Sequence, residues 1–298
     1  FLINVLKSPE FVDGSYNVNF IDNHPELFNL PVVQDRGTKL LKYIGDTTIN
    51  GYAGTGHQEK PEFERLEMPT AVAGEYPAGT KQIFDSMGPE KFSKWILDQK
   101  KVLVTDTTMR DAHQSLMATR VRTIDMLRVL ETASKKLPQF FSYECWGGAT
   151  FDVAYRFLYE DPWERLRQMR EKAPNILLQM LIRGANAVGY TSYPDNVVKN
   201  FVELSAKNGI DVFRIFDSLN SLDNMYGTIQ AVRETGKVAE VALCYTGDIL
   251  DSSRTKYDLA YYVNMAKELQ NAGANIIAIK DMAGLLKPEA AYRLVSAL

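Results

Sequence analysis

From about residue 102 onward the chain repeats one pattern: a short apolar run, then a longer stretch with helical spacing. The runs are "KVLVTDTT" (101–108), "FFSYECWG" (140–147), "ILLQMLIRG" (176–184), "DVFRIFDS" (211–218), "EVALCYTG" (240–247) and "NIIAIKDM" (275–282). Each has strand length and is rich in β-branched and aromatic residues. None alternates cleanly with charge, so both faces of each strand are expected to be buried, as in a parallel sheet.

The stretches between carry helix punctuation. "TIDMLRVLETASKKL" is expected to start at a Thr cap and to place Ile124, Leu127, Leu130 and Ala133 near one face. Asp161 reads as an N-cap, with Pro162 at the first helical position and Glu164 at the third. Gly209, Gly236 and Gly273 each close a helical stretch, where the left-handed conformation is needed.

Six consecutive βα units leave a doubly wound sheet or a (β/α)8 barrel. No GxGxxG follows the first strand, which weighs against a dinucleotide-binding sheet. A full barrel has eight units in about 250 residues. Six units here reach residue 298. The expected fold is therefore α/β, a (β/α)8 TIM barrel truncated after about six βα units and preceded by an irregular helical and linker region.

Residues 1–95 follow a different pattern. A short helix, a turn at Gly14 and a second short helix near Pro25 are expected first. The stretch from Gly37 to Thr80 is rich in Gly and Pro and low in periodicity. Its "GYAGTGH" (51–57) lacks the Lys-Ser/Thr of a phosphate loop and reads as a connection. Residues 80–99 read as a helix leading into the first strand.

Composition narrows the function classes. The 298 residues are 45% hydrophobic and 24% charged, with net charge −3, which is ordinary for a globular protein. There is no basic footprint for nucleic acid or for an anionic membrane, and no apolar run long enough to span a bilayer. Cys145 and Cys244 sit in apolar runs and read as reduced core residues, which points to a cytoplasmic protein. The first residue is Phe, and the chain reads as part of something longer.

In a parallel barrel the reactive groups come from the carboxyl ends of the strands. Those ends offer Arg110, Asp111, His113 and Gln114, then Glu144 and Trp146, then Arg183, Asn186 and Tyr190. They continue with Asp217 and Asn220, Tyr245 and Thr246, and Lys280 and Asp281. Asp111 is either a metal ligand or an ion partner of Arg110 or Arg183. Lys280 follows four apolar residues; it is either ion-paired or a desolvated amine able to react with a carbonyl or CO2. Arg110 and Arg183 can clamp a carboxylate bidentately or serve as structural partners. His24 and His57 lie outside this region, and no His-x-His pair exists in the sequence.

"DTTMRDAHQS" (106–115), "YECWGGATFD" (143–152), "LIRGANAVGY" (181–190), "FRIFDSLN" (213–220) and "IAIKDMAGLLKP" (277–288) resemble, in order, the carboxyltransferase domain of the pyruvate carboxylase family. Residues 1–28, with "FLINVLKSPEF" and "FIDNHPELF", resemble the end of that family's biotin carboxylase domain. Residues 29–68 resemble its allosteric linker and tetramerisation segment, and 69–298 the incomplete carboxyltransferase barrel.

The resemblance implies a ligase that moves a carboxyl group from carboxybiotin to pyruvate, giving oxaloacetate. It implies a divalent metal (Zn or Mn) held by Asp111 and a carboxylated Lys280, pyruvate held by Arg110, Gln114 and Arg183, and Tyr190 at the biotin pocket. The remaining parts implied are a His-x-His pair, a proton-shuttling threonine, the biotinyl carrier domain, and an ATP and Mg site, all outside this chain. A homotetramer with acetyl-CoA as activator is also implied, and the isolated piece is expected to be inactive. Rival readings are a biotin-dependent oxaloacetate decarboxylase or transcarboxylase subunit, a metal-dependent acyl-CoA lyase-type barrel, and a non-catalytic linker module.

Overall fold

The computed structural model describes residues 1–29, 36–51 and 72–298. The "GYAGTGH" loop beyond Gly51 and most of the linker segment lie outside the described residues. The chain divides into two units, Phe1–Leu66 and Glu67–Leu298.

In the first unit, helices Leu2–Lys7 and Pro9–Asp13 are followed by Gly14 in the left-handed conformation (φ 79°), as the turn requires. Helix Phe20–Asn23 and the 3-10 turn Pro25–Phe28 supply the buried pair Phe20 and Leu27. The region read as aperiodic contains a 15-residue helix, Arg36–Asn50. Leu40, Leu41, Ile44 and Ile49 are exposed on it, and the helix has no buried residue.

Among its described residues the second unit contains six strands: β1 (Thr105–Asp106), β2 (Ser142–Gly147), β3 (Leu177–Ile182), β4 (Val212–Ile215), β5 (Val238–Cys244) and β6 (Ile276–Lys280). All neighbours are parallel and lie in sequence order. A doubly wound sheet reverses its order at a switch point; this sheet never does, so it is barrel wall. The first strand is far shorter than its apolar run, and Lys101 to Val104 lie outside it.

Both faces of the central strands are largely buried, as expected, but only one of them is apolar. Leu178, Met180, Phe213, Ile215, Ala239 and Val241 join the core under the helices. The alternate positions Ser142, Glu144, Gln179, Arg214 and Glu240 meet one another by hydrogen bonds on the other face. These strands do alternate, but their polar face is turned into the barrel, where it is also largely buried. The floor of the barrel has an apolar layer: Phe84 and Phe92 pack on Phe141, Leu177, Val212 and Val238 at the strand starts. Each such side chain, fully buried, is worth about 1.5–3 kcal/mol. The lead-in helix is two helices, Thr80–Met87 and Pro89–Leu97, broken at Gly88.

The cap readings divide. Asp161 caps helix Pro162–Lys172 by accepting from the Trp163 amide, 2.8 Å. Thr123 does not cap helix Thr123–Lys136; its hydroxyl donates to Glu160, 2.6 Å, and accepts from the buried Arg165, 2.7 Å. Ile124 is accordingly turned to solvent, while Leu130 is buried.

Candidate active site

The loop after β1 is built by its own side chains. Asp106 accepts from the Thr108 amide (3.0 Å) and hydroxyl (3.1 Å), and a wide π-helical turn, Thr108–Ala112, follows. Buried His113 holds that turn by donating from Nε2 to the Met109 carbonyl, 2.7 Å. Burial lowers the His113 pKa, with nearby Arg165 and Arg110 acting the same way against the Met109 bond, which favours the neutral ring.

The turn delivers Arg110 into the barrel interior. Its Nε and Nη2 both contact Glu144 Oε1 on β2, and its Nη1 faces Asp111 Oδ1 at 2.9 Å and Gln114 Oε1 at 3.3 Å. The Arg110 stem passes Gly147, where an added Cβ would sit 3.7 Å from Arg110 Cδ and 3.2 Å from the Leu181 carbonyl oxygen. The Asp111 side chain is 54% exposed, so the group reaches the surface at the mouth.

Arg183 leaves the end of β3. Its Nη1 donates to the Gly189 carbonyl, 3.3 Å, and its guanidinium lies 5.8 Å from the Tyr190 ring centroid. A cavity of about 250 Å³ is lined by Arg183, Asn186, Tyr190, Phe216, Asp217 and Ser218, with Gly189. Lys280, at the end of β6, places its Nζ 5.2 Å from the Phe216 ring, which is a wall of that cavity. Among the described residues neither Arg183 nor Lys280 meets a carboxylate.

The structure therefore groups Arg110, Asp111 and Gln114 with Glu144, and Arg183 with Tyr190, while Lys280 contacts the Phe216 wall. Other strand-end residues build loops instead. Asp217 accepts from the Leu219 and Ser221 amides and from Asn224; Asp281 accepts from the Leu285 and Leu286 amides. Asn220 pins both backbone groups of Cys244. A register shift after Glu144 turns Trp146 outward, against Phe151, Trp163 and Phe201.

Arg214 and Glu240 were absent from the sequence list, although both belong to the interior network. Part of the signal was present: Arg214 stands inside the run "DVFRIFDS", where a barrel normally places apolar layers, whereas Glu240 opens "EVALCYTG" and did not stand out.

No group of three or more His, Cys, Asp or Glu among the described residues is arranged to hold a metal. Asp111 is one carboxylate, and an unmodified lysine such as Lys280 offers a metal no anionic oxygen. The residues present can supply part of a metal site but do not make one.

No family model matches the chain. A pyruvate carboxylase of Bacillus subtilis (strain 168) is 60% identical over 299 residues, an alignment spanning all of this chain and 26% of that protein. A structure of the Rhizobium etli pyruvate carboxylase carboxyl transferase domain with pyruvate and biocytin is 57% identical, with TM-score 0.76, over 89% of this chain and 45% of that one. The likeness to pyruvate carboxylases runs the whole length of the chain. A Rhizobium etli pyruvate carboxylase variant with the allosteric activator acetyl coenzyme-A also aligns with all of the chain, at 56% identity and TM-score 0.76, over 28% of its own length. The chain thus spans about a quarter of the curated pyruvate carboxylase it matches. Its six-stranded wall is part of the barrel fold of those carboxyl transferase domains.

Proposed function

We propose that this chain is part of a biotin-dependent, ATP-dependent pyruvate carboxylase and supplies six βα units of the barrel that carboxylates pyruvate to oxaloacetate. The observation that carries this reading is the pair of unneutralised cations at the mouth. Arg183 and Lys280 meet no carboxylate among the described residues; Arg183 lines a cavity of about 250 Å³, and Lys280 Nζ lies 5.2 Å from the ring of Phe216, one wall of that cavity. A cation at such a rim suits an anionic partner, and a guanidinium suits a carboxylate.

In this reading Arg110, Gln114 and Arg183 bind pyruvate and stabilise negative charge as its methyl proton leaves. Glu144 fixes one edge of Arg110, so Nη1 faces the mouth already oriented. Tyr190, 76% exposed above Arg183, offers a ring face at the biotin position. Biotin, brought by its carrier domain, supplies the carboxyl group. Carboxylation of Lys280 would turn its amine into an anionic oxygen ligand and, with Asp111, give two donors toward a divalent Zn or Mn ion.

The unit boundary at Leu66/Glu67 supports a division near residue 68, between a linker segment and the barrel. ATP and Mg binding, acetyl-CoA activation and a homotetramer belong to the same proposal. So does a cytoplasmic location, supported by two unbridged buried cysteines. Among the described residues no helix is long and apolar enough to cross a membrane. The decarboxylase-subunit reading is disfavoured because the likeness to pyruvate carboxylases includes residues before the barrel.

In the full-length protein, Lys280→Ala should reduce oxaloacetate formation about a hundredfold or more, a typical cost of removing a group that acts on developing charge. Bicarbonate-dependent ATP cleavage should persist. Equal loss of both reactions would overturn the reading.

A further inference from the structure

The interior of the barrel holds a connected polar chain that ends on Arg110. Thr105 on β1 meets Ser142 on β2, 2.9 Å, and Ser142 donates to Gln179 on β3, 2.7 Å. Gln179 donates to Glu240 Oε2 on β5, 2.8 Å. Glu240 Oε1 accepts from Arg214 Nε on β4, 2.6 Å, and Arg214 Nη1 donates to Glu144 Oε2, also 2.6 Å. Glu144 turns its other oxygen to Arg110.

Each carboxylate divides its two oxygens between different partners, so neither can rotate without breaking a contact. Glu144 and Glu240 are 0% and 4% exposed. Charges in such a place are costly, and apolar side chains of similar volume would commonly fill it at no loss of stability. Their arrangement determines a direction instead: Arg214 pulls one oxygen of Glu144, and this fixes where the other meets Arg110. Burial lowers the Arg214 pKa, but Glu240 and Glu144 outweigh it and leave it raised. Burial also raises Glu240.

We propose that Arg214 and Glu240 are positioning residues that orient Arg110 for substrate through Glu144. This rests on Arg110 binding pyruvate, as proposed above. Neither residue need touch substrate; they keep the Nη1 side of Arg110 aimed at the mouth.

The test uses the full-length protein. Glu240→Gln keeps the shape but removes the charge and replaces one of two acceptor oxygens with an N–H donor that faces Arg214 or Gln179; Arg214→Lys keeps the charge but loses the fork. Each should lower kcat/KM for pyruvate about tenfold, the size of one displaced charge-assisted contact. Bicarbonate-dependent ATP cleavage should stay within about twofold. Combined with Arg110→Lys, the Glu240→Gln loss should shrink to less than about threefold, because residues acting through one group are not additive.

Unchanged pyruvate kinetics in Glu240→Gln, losses that add fully with Arg110→Lys, or equal loss of ATP cleavage would each overturn the inference. If Arg214→Lys does not accumulate as folded protein, the near-isosteric Glu240→Gln decides alone. Arg110→Lys by itself separates the two readings. If it leaves pyruvate use unchanged, the substrate assignment fails; if it impairs pyruvate use and the Glu240 variant does not, only the positioning role fails.

Discussion

Two buried carboxylates, Asp211 and Glu144, each hold more than one cation, at opposite ends of the same barrel wall. Asp211 precedes β4 at the strand starts. It is fully buried and accepts from Arg170, from Lys237 at 2.9 Å and from the Leu178 amide at 3.1 Å, with Lys81 at 3.8 Å. Arg170 also donates to the Ala173 and Ile176 carbonyls, tying the end of helix Pro162–Lys172 to the start of β3. Every partner of Asp211 is a scaffold group. Glu144, near the strand ends, instead holds Arg110, whose Nη1 continues outward to Asp111 and Gln114. Similar chemistry serves as a clamp on the floor and as an aiming device at the mouth. In barrels, residues at the bottom face serve stability and those at the top face serve reaction.

The largest expected effect tests the floor. Asp211→Ala leaves Arg170, Lys237 and Lys81 without their shared anion, and removing one partner of a buried ion pair costs about 3–5 kcal/mol. The full-length protein should melt well below the parent, while kcat/KM for pyruvate, measured cold on protein that is still folded, should change less than about twofold. A melting temperature equal to the parent's would remove the distinction between the two ends.

Arg183 sharpens the contrast, because it belongs to neither network. Its contacts are the Gly189 carbonyl and the Tyr190 ring, so little scaffold depends on it. Arg183→Lys should leave thermal stability near the parent's and raise KM for pyruvate. The loss of a charged bidentate contact, about 2 kcal/mol, corresponds to roughly thirtyfold in kcat/KM. Unchanged kinetics would take Arg183 out of the site.

Much of this organisation was legible in the sequence, and the illegible parts have physical causes. Strand periodicity and the glycines that end helices identified six βα units, and Gly209, Gly236 and Gly273 do take positive φ, at 127°, 70° and 106°. The order of the strands could not be read from periodicity, but the lack of a nucleotide-binding glycine pattern pointed to the barrel. Arg214 and Glu240 were missed because only the strand ends were searched for polar groups; inside a barrel, a charged face can be buried within the strands if its members satisfy one another. The register shift after Glu144 was also illegible, and it is what separates inward Glu144 from outward Trp146. Helix Arg36–Asn50 escaped because its Gly and Thr content masks the spacing of Leu40, Leu41 and Ile44.

The smallest effect checks whether the two ends are independent. Asp161 caps the helix that carries Arg170, through a single bond to the Trp163 amide, and its side chain is 57% exposed. Asp161→Ala should cost about 1 kcal/mol of stability, the usual value for a lost N-cap. The fraying should stay within the first helical turn, more than one turn short of Arg170, and the pyruvate kinetics should not move. Any fall in kcat/KM beyond about twofold would mean that strain at the helix layer reaches the mouth. The floor and the mouth would then be one mechanical unit, contrary to a barrel whose scaffold clamp and aiming network act separately.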